Sequence, residues 1–215
     1  MNRHPAPTLL VLLLACATEA GAGRPMLLED ADVDDAGSAQ VEAWHAREAG
    51  GSRSWTVAPS FTPWRGVELG LARSRDTTDR TDTTELQAKF GLPGRRPDGA
   101  CRHAVVIGAS HTGGERGATY LVNGAASCDA GPGTLHLNLG ASRGRSGPTL
   151  PGAGVAWEHA LGATTAHAEW LVQRHAKPTA NLGLRREIAE GLQIDGSVGR
   201  SGGTTLFSLG LAYGF

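Results

Sequence analysis

The sequence predicts an all-β chain, folded as an antiparallel up-and-down transmembrane β-barrel of about 12 strands, with 10 as the alternative count. Three observations predict it. From Ser38 onward, large apolar residues alternate with small or polar ones in segment after segment, the period-two pattern of strands with unlike faces. After the first seventeen residues no stretch approaches the roughly 18 apolar residues that a membrane-crossing helix needs, so any crossing is made by strands. The polar face of the strands is rich in Gly, Ala and Ser, which suits a narrow lumen better than a water-facing surface.

Composition sets the outer bounds. The 215 residues suffice for one domain, and a formal net charge of -1 with no basic stripe argues against a nucleic-acid partner.

At the N-terminus, Arg3 and His4 precede an apolar core over residues 8–17 and a small-residue tract, the build of a secretory signal peptide over residues 1–22 cleaved after Ala22. Leu13-Leu14-Ala15-Cys16 offers a lipoprotein box instead, with Cys16 lipidated and kept. If Cys16 is removed, Cys101 and Cys128 remain, the even count an exported disulfide needs. A hairpin turning over residues 113–116 is centred midway between them and sets the two cysteines opposite each other.

Residues 23–37 carry Glu29, Asp30, Asp32, Asp34 and Asp35 without alternation, so they form no strand. The expectation is an acidic N-terminal periplasmic segment, solvated or tucked into the barrel mouth. A calcium site on the four aspartates is the sharper alternative, but the glycine and glutamate spacing of a calcium loop is missing.

The barrel is predicted over residues 38–215, with strands over 40–46, 54–61, 66–73, 84–90, 101–110, 119–127, 134–142, 154–161, 165–173, 180–186, 192–199 and 204–215. Most show their faces plainly. Val67, Leu69 and Leu71 oppose Glu68, Gly70 and Ala72; Leu86, Ala88 and Phe90 oppose Glu85, Gln87 and Lys89. Leu135, Leu137 and Leu139 oppose His136 and Asn138; Trp157 opposes Glu158; Ala166, Ala168 and Trp170 oppose His167 and Glu169. Leu182 and Leu184 oppose Asn181 and Arg185, and Ile194 opposes Gln193 and Asp195. Long polar connections over 74–83 and 143–153 fall on the outer side and tight ones on the inner side, except for 91–100 and 128–133. Phe61, Trp64, Phe90, Tyr213 and Phe215 gather at the inner rim, while Trp44 falls inside without an account.

The last strand places Phe207, Leu209, Leu211, Tyr213 and Phe215 on one face and Ser208, Gly210, Ala212 and Gly214 on the other. It resembles the closing strand of bacterial outer-membrane β-barrels. That resemblance implies a Gram-negative outer membrane as the location and outer-membrane lipid as surroundings. It also implies periplasmic chaperones and the barrel-insertion machinery as assembly partners, the latter reading those five residues as its signal.

The inward set is Gln40, Glu42, Glu68, Glu85, Gln87, Lys89, His136, Asn138, Glu158, His167, Glu169, Asn181, Arg185, Gln193 and Asp195. One reading is a packed interior of ion pairs; the other is a polar channel whose excess carboxylates favour cations or neutral polar solutes. The expected function is a channel or transporter for small solutes, with a closed structural barrel and a membrane-embedded lipid hydrolase as alternatives. No catalytic residue, metal or cofactor is assigned. Gly140-Ala141-Ser142-Arg143-Gly144 matches a nucleophile elbow only in spelling, because it ends a strand in a Gly-rich chain. Ser110-His111 and His167 with Glu169 suggest hydrolytic chemistry, but their registers keep them apart.

A second resemblance lies in Arg24-Pro25-Met26-Leu27-Leu28-Glu29-Asp30-Ala31, followed by Gln40-Val41-Glu42. It is similar to the mature N-terminus of the putative MetA-pathway phenol-degradation family, with departures at Met26 and Glu29. That resemblance implies an outer-membrane transporter.

Overall fold

Each alternating segment forms a strand in the computed structural model, which describes residues 26–93 and 101–215. The signal peptide, Cys16, the Arg24-Pro25 pair and most of the 91–100 connection lie outside the described residues. The strands are β1 (Ala39–Arg47), β2 (Arg53–Trp64), β3 (Val67–Asp76), β4 (Asp82–Leu92), β5 (Arg102–Thr112) and β6 (Thr119–Ala130). They continue with β7 (Gly133–Gly144), β8 (Leu150–Leu161), β9 (Thr164–Gln173), β10 (Thr179–Ala189), β11 (Leu192–Ser201) and β12 (Thr204–Gly214). Every neighbour in sequence is an antiparallel neighbour in space, and β1 pairs with β12, so the sheet closes on itself with no free edge.

The faces are inverted relative to a soluble protein. Leu86, Leu139, Leu182, Leu184 and Leu209 are exposed on the outside, while His136, Glu158, His167, Glu169 and Asp195 are buried within. An exterior of this kind is stable only in an apolar surrounding, and the pattern is that of a transmembrane barrel. Aromatic side chains bound the band at both ends. Trp55, Tyr120 and Trp170 lie toward one rim, and Phe61, Trp64, Phe90, Tyr213 and Phe215 toward the other, the rim that carries both ends of the barrel.

Connections at this inner rim shrink to pairs such as Arg65-Gly66, Gly131-Pro132, Gly162-Ala163 and Glu190-Gly191. The expected long connection over 128–133 is therefore corrected, because β6 continues to Ala130 and turns at once. The expected outer loops over 74–83 and 143–153 shorten to 77–81 and 145–149. Their polar residues extend the strands beyond the apolar band, where Arg75 Nη1 lies 3.0 Å from Asp82 Oδ2 across β3 and β4. At the outer rim, Gly202 and Gly203 take φ of +54° and +94°, the positive pair that a type I′ hairpin turn demands.

Cys101 and Cys128 form a disulfide. The register pairs Arg102 with Ser127, which sets the two cysteines opposite each other. This bridge closes a loop of 27 residues, and chain-entropy arguments give its loss a cost of roughly 3 kcal/mol. Replacing both cysteines with serine should lower the urea midpoint of the heat-modifiable band while leaving a folded barrel.

Candidate functional site: the lumen and its docked segment

The acidic segment tucks into the barrel, with Asp30 buried and Asp32 and Asp35 left exposed. Residues 26–38 run from the inner rim, where Gly37 N donates to Thr62 O at 2.8 Å, to mid-height inside the barrel. There Glu169 Oε2 accepts the backbone N–H of Leu27 at 2.7 Å and of Leu28 at 3.0 Å, while its other oxygen accepts from Asn181 at 3.0 Å. Asn138 grips Glu29 from both sides: Oδ1 accepts from Glu29 N at 3.1 Å and Nδ2 donates to Glu29 O at 2.7 Å. Ser127 Oγ accepts Ala31 N at 2.8 Å. An irregular backbone inside a membrane needs every polar group satisfied, and the wall supplies the partners that a helix or sheet would otherwise give.

The carboxylates also have partners. Lys89 Nζ lies 3.2 Å from Asp30 Oδ1 and 3.4 Å from Glu29 Oε2, and donates to Asp32 O at 3.3 Å. Gln87 Nε2 donates to Glu29 Oε1 at 3.0 Å, and Arg102 is ion-paired with Asp32. This pairing takes up Glu29 and Asp30, while Asp32 meets Arg102 half exposed. Asp34 stands above the usual carboxylate range, first because burial disfavours its charge and then because the Asp30 carboxylate is close. The docked state therefore holds that proton more tightly. The contribution of Asp34 itself thus opposes docking where it is ionised and is relieved as pH falls through its raised range.

Small wall residues make room for the segment. Ala31 packs against Ala104 and Ala125, and a Cβ added at Gly154 would come within 2.5 Å of Leu28. Gly183 does the same for a wall side chain, since a Cβ there would strike the His167 ring.

Below Leu28 a chain of polar contacts crosses the wall. Ser127 Oγ and His136 Nδ1 are 2.9 Å apart, His136 Nε2 and Glu158 Oε2 3.3 Å, and Arg185 Nη1 lies 2.7 Å from Glu158 Oε1. Ser127 Oγ accepts Ala31 N–H and still has its own proton and a second lone pair for His136 Nδ1, so the His136 tautomer sets the direction along this chain. His167 Nε2 is 3.2 Å from Glu169 Oε1, a close contact without hydrogen-bond geometry.

Glu42, Glu68, Glu85, Gln87 and Lys89, joined by Trp44, line a second space of about 280 Å³ between the segment and β1 to β4. Trp44 fits because Gly210, opposite it on β12, brings no side chain. Gln193 and Asp195 face inward on β11, Asp195 buried and Gln193 partly so. Toward the outer end the inward positions turn apolar. Leu121, Leu150 and Leu171 surround a cavity of about 470 Å³ above Leu27 and Leu28.

Ser127, Arg102, Asn123 and the three inward leucines were absent from the inward set read from the sequence. The parity of Cys101 and Cys128 carried the signal for the first two, since outward cysteines put their neighbours Arg102 and Ser127 inside. The candidate hydrolytic residues are not assembled. His111 is bonded to Gly117 O in an outer hairpin, Ser142 sits near the outer end of β7, and His167 lies in the inner half of β9. Phe207, Leu209, Leu211, Tyr213 and Phe215 face outward along the seam strand.

Solved porin structures share this fold. The KdgM porin superposes with a TM-score of 0.70 at 12% identity, covering 82% of this chain and 99% of its own. The KdgM porin in complex with disordered oligogalacturonate gives 0.71 at 12% identity, with 82% and 99% covered. At this identity the likeness is one of fold. No curated protein matches the sequence. A family model matches residues 9–205, and the chain thereby belongs to the family described as uncharacterised conserved protein UCP029691.

Proposed function

We propose that this chain is an outer-membrane channel for small solutes in a Gram-negative bacterium and not an enzyme. The observation that carries the reading is the polar space beside the docked segment. It reaches from Gln40 and Glu68 near the inner rim to Thr56 and Ser74 near the outer one. Glu42, Glu68 and Glu85 line it, with Lys89 as the cation, so its field favours cations and neutral polar solutes. The porin described with oligogalacturonate takes an acidic chain; a wall of carboxylates repels such a polyanion, so the solute proposed here is a different one. The similarity of the N-terminal stretch to the MetA-pathway phenol-degradation family also supports a transporter of small molecules.

Purified protein in planar bilayers should show discrete conductance steps with a reversal potential favouring potassium over chloride. Glu68→Gln with Glu85→Gln should move that potential toward zero. Absence of steps would favour the closed structural barrel, a reading that the densely bonded segment makes worth testing. Chloride preference would overturn the electrostatic account.

A further inference from the structure

The outer half of the lumen departs from the rule that the inside of a membrane barrel is polar. Leu121, Leu150 and Leu171 point inward there, on strands whose inner halves carry Ser127, Glu158 and His167 at positions of the same parity. Leu27 and Leu28 of the docked segment supply the floor, and the space enclosed is about 470 Å³. Five leucines around a water-accessible space are costly unless something apolar covers them.

We propose that this vestibule is a binding site for a small uncharged molecule with an apolar body and one polar end. It deepens the channel reading and rests on it, the vestibule sharing Leu27, Leu28 and Glu29 with the polar space. The volume lies in the range of small-molecule pockets. Charge on the lining is confined to Lys177 at the outer mouth and Glu29 at the floor, where Glu29 is engaged by Gln87 and Lys89. A cation would therefore lose hydration without a free counter-charge, and an anion would meet only Lys177 at the solvent-facing mouth. A hydroxyl or amide would find partners, because Gln173 Nε2 and Ser142 Oγ meet at a long 3.4 Å that a ligand group can replace. Asn123 donates to Asn138 at 2.6 Å and lines the same space, with its own carbonyl as an acceptor.

The test is a methyl-NMR titration of leucine-labelled full-length protein in lipid nanodiscs. Cyclohexanol is the neutral probe, glucose the polar control and cyclohexanecarboxylate the anionic one. The expected result is saturable shifts of the Leu27, Leu28, Leu121 and Leu171 methyls with cyclohexanol alone, at least tenfold weakened in Leu171→Asn. Leu150→Gln, nearer the rim, serves as a second variant if Leu171→Asn does not fold, with the same weakening expected. Shifts that stay linear, spread over outward leucines, or appear equally with glucose overturn the site. So does a lack of response because preceding residues of the chain fill the space. Bilayer conductance separates the two ideas: steps without saturable binding remove the site and keep the channel, and binding without steps does the reverse.

Discussion

Lys89→Met is expected to release the docked segment while leaving the barrel folded. The variant keeps most of the side-chain volume and removes the charge that faces Asp30 Oδ1 at 3.2 Å and Glu29 Oε2 at 3.4 Å. Breaking one side of a buried ion pair costs about 3–5 kcal/mol, because the surviving carboxylate is left without compensation. At about 1.4 kcal/mol per factor of ten, the docking equilibrium shifts by roughly a hundredfold or more. The closed ladder of strands does not depend on this pair, so heat-modifiable mobility should persist. Hydrogen exchange is the direct measurement. The amides of Leu27, Leu28, Glu29 and Ala31, each bonded to the wall, should lose protection together. Bilayer conductance per step should rise with them. Adding Asp30→Asn to Lys89→Met should restore part of the protection, since the orphaned charge is then gone. Unchanged exchange in the single variant would show that the hydrogen bonds to Glu169, Asn138 and Ser127 hold the segment without the ion pair.

The reason that the sequence showed the wall and not the segment lies in the range of the interactions. Parity is local: once Leu69 and Leu71 face lipid, Glu68 and Gly70 must face the lumen, and no distant residue is consulted. Glu169 holds Leu27 from 142 positions away, and Lys89 holds Asp30 from 59 away, so no window of sequence contains either pair. Gly154 was legible as a small inward residue because it shares the parity of Glu158, yet the cause of its smallness, Leu28, was not. Residues 74–83 misled for a different reason. Alternation of apolar with polar marks a strand only where lipid touches one face. Beyond the apolar band, Arg73 and Arg75 continue β3 opposite Thr84 and Asp82 of β4 with water on the outside, and the pattern that betrays a strand disappears. The inward leucines are masked by the converse effect: on a lumen parity, a leucine reads in sequence like any lipid-facing one.

Phe215→Ala is expected to cut barrel assembly in cells severely and to change stability in detergent little. Phe215 closes the seam through two backbone bonds with Ala39, N to O and O to N, each 2.9 Å. Alanine keeps both, and the β1 to β12 ladder still contributes its eight paired positions from Gln40 with Gly214 to Arg47 with Phe207. What alanine removes is an exposed ring at the inner rim, 5.9 Å from the Tyr213 ring. That ring is worth a modest interfacial contribution once the barrel is complete. During insertion it has a larger role if Phe207, Leu209, Leu211, Tyr213 and Phe215 are the outward stripe that the insertion machinery reads. The two effects separate cleanly. Refolding from urea into detergent reports the seam, and the heat-modifiable band in outer-membrane fractions reports the signal. Deleting Phe215 removes the ring and both bonds, each worth about 0.5–1.5 kcal/mol, and should lower both readouts. Phe215→Tyr keeps the aromatic character and should restore assembly in cells. If Phe215→Ala assembles like the parent chain, the stripe is not a signal and the residue serves only to close the barrel.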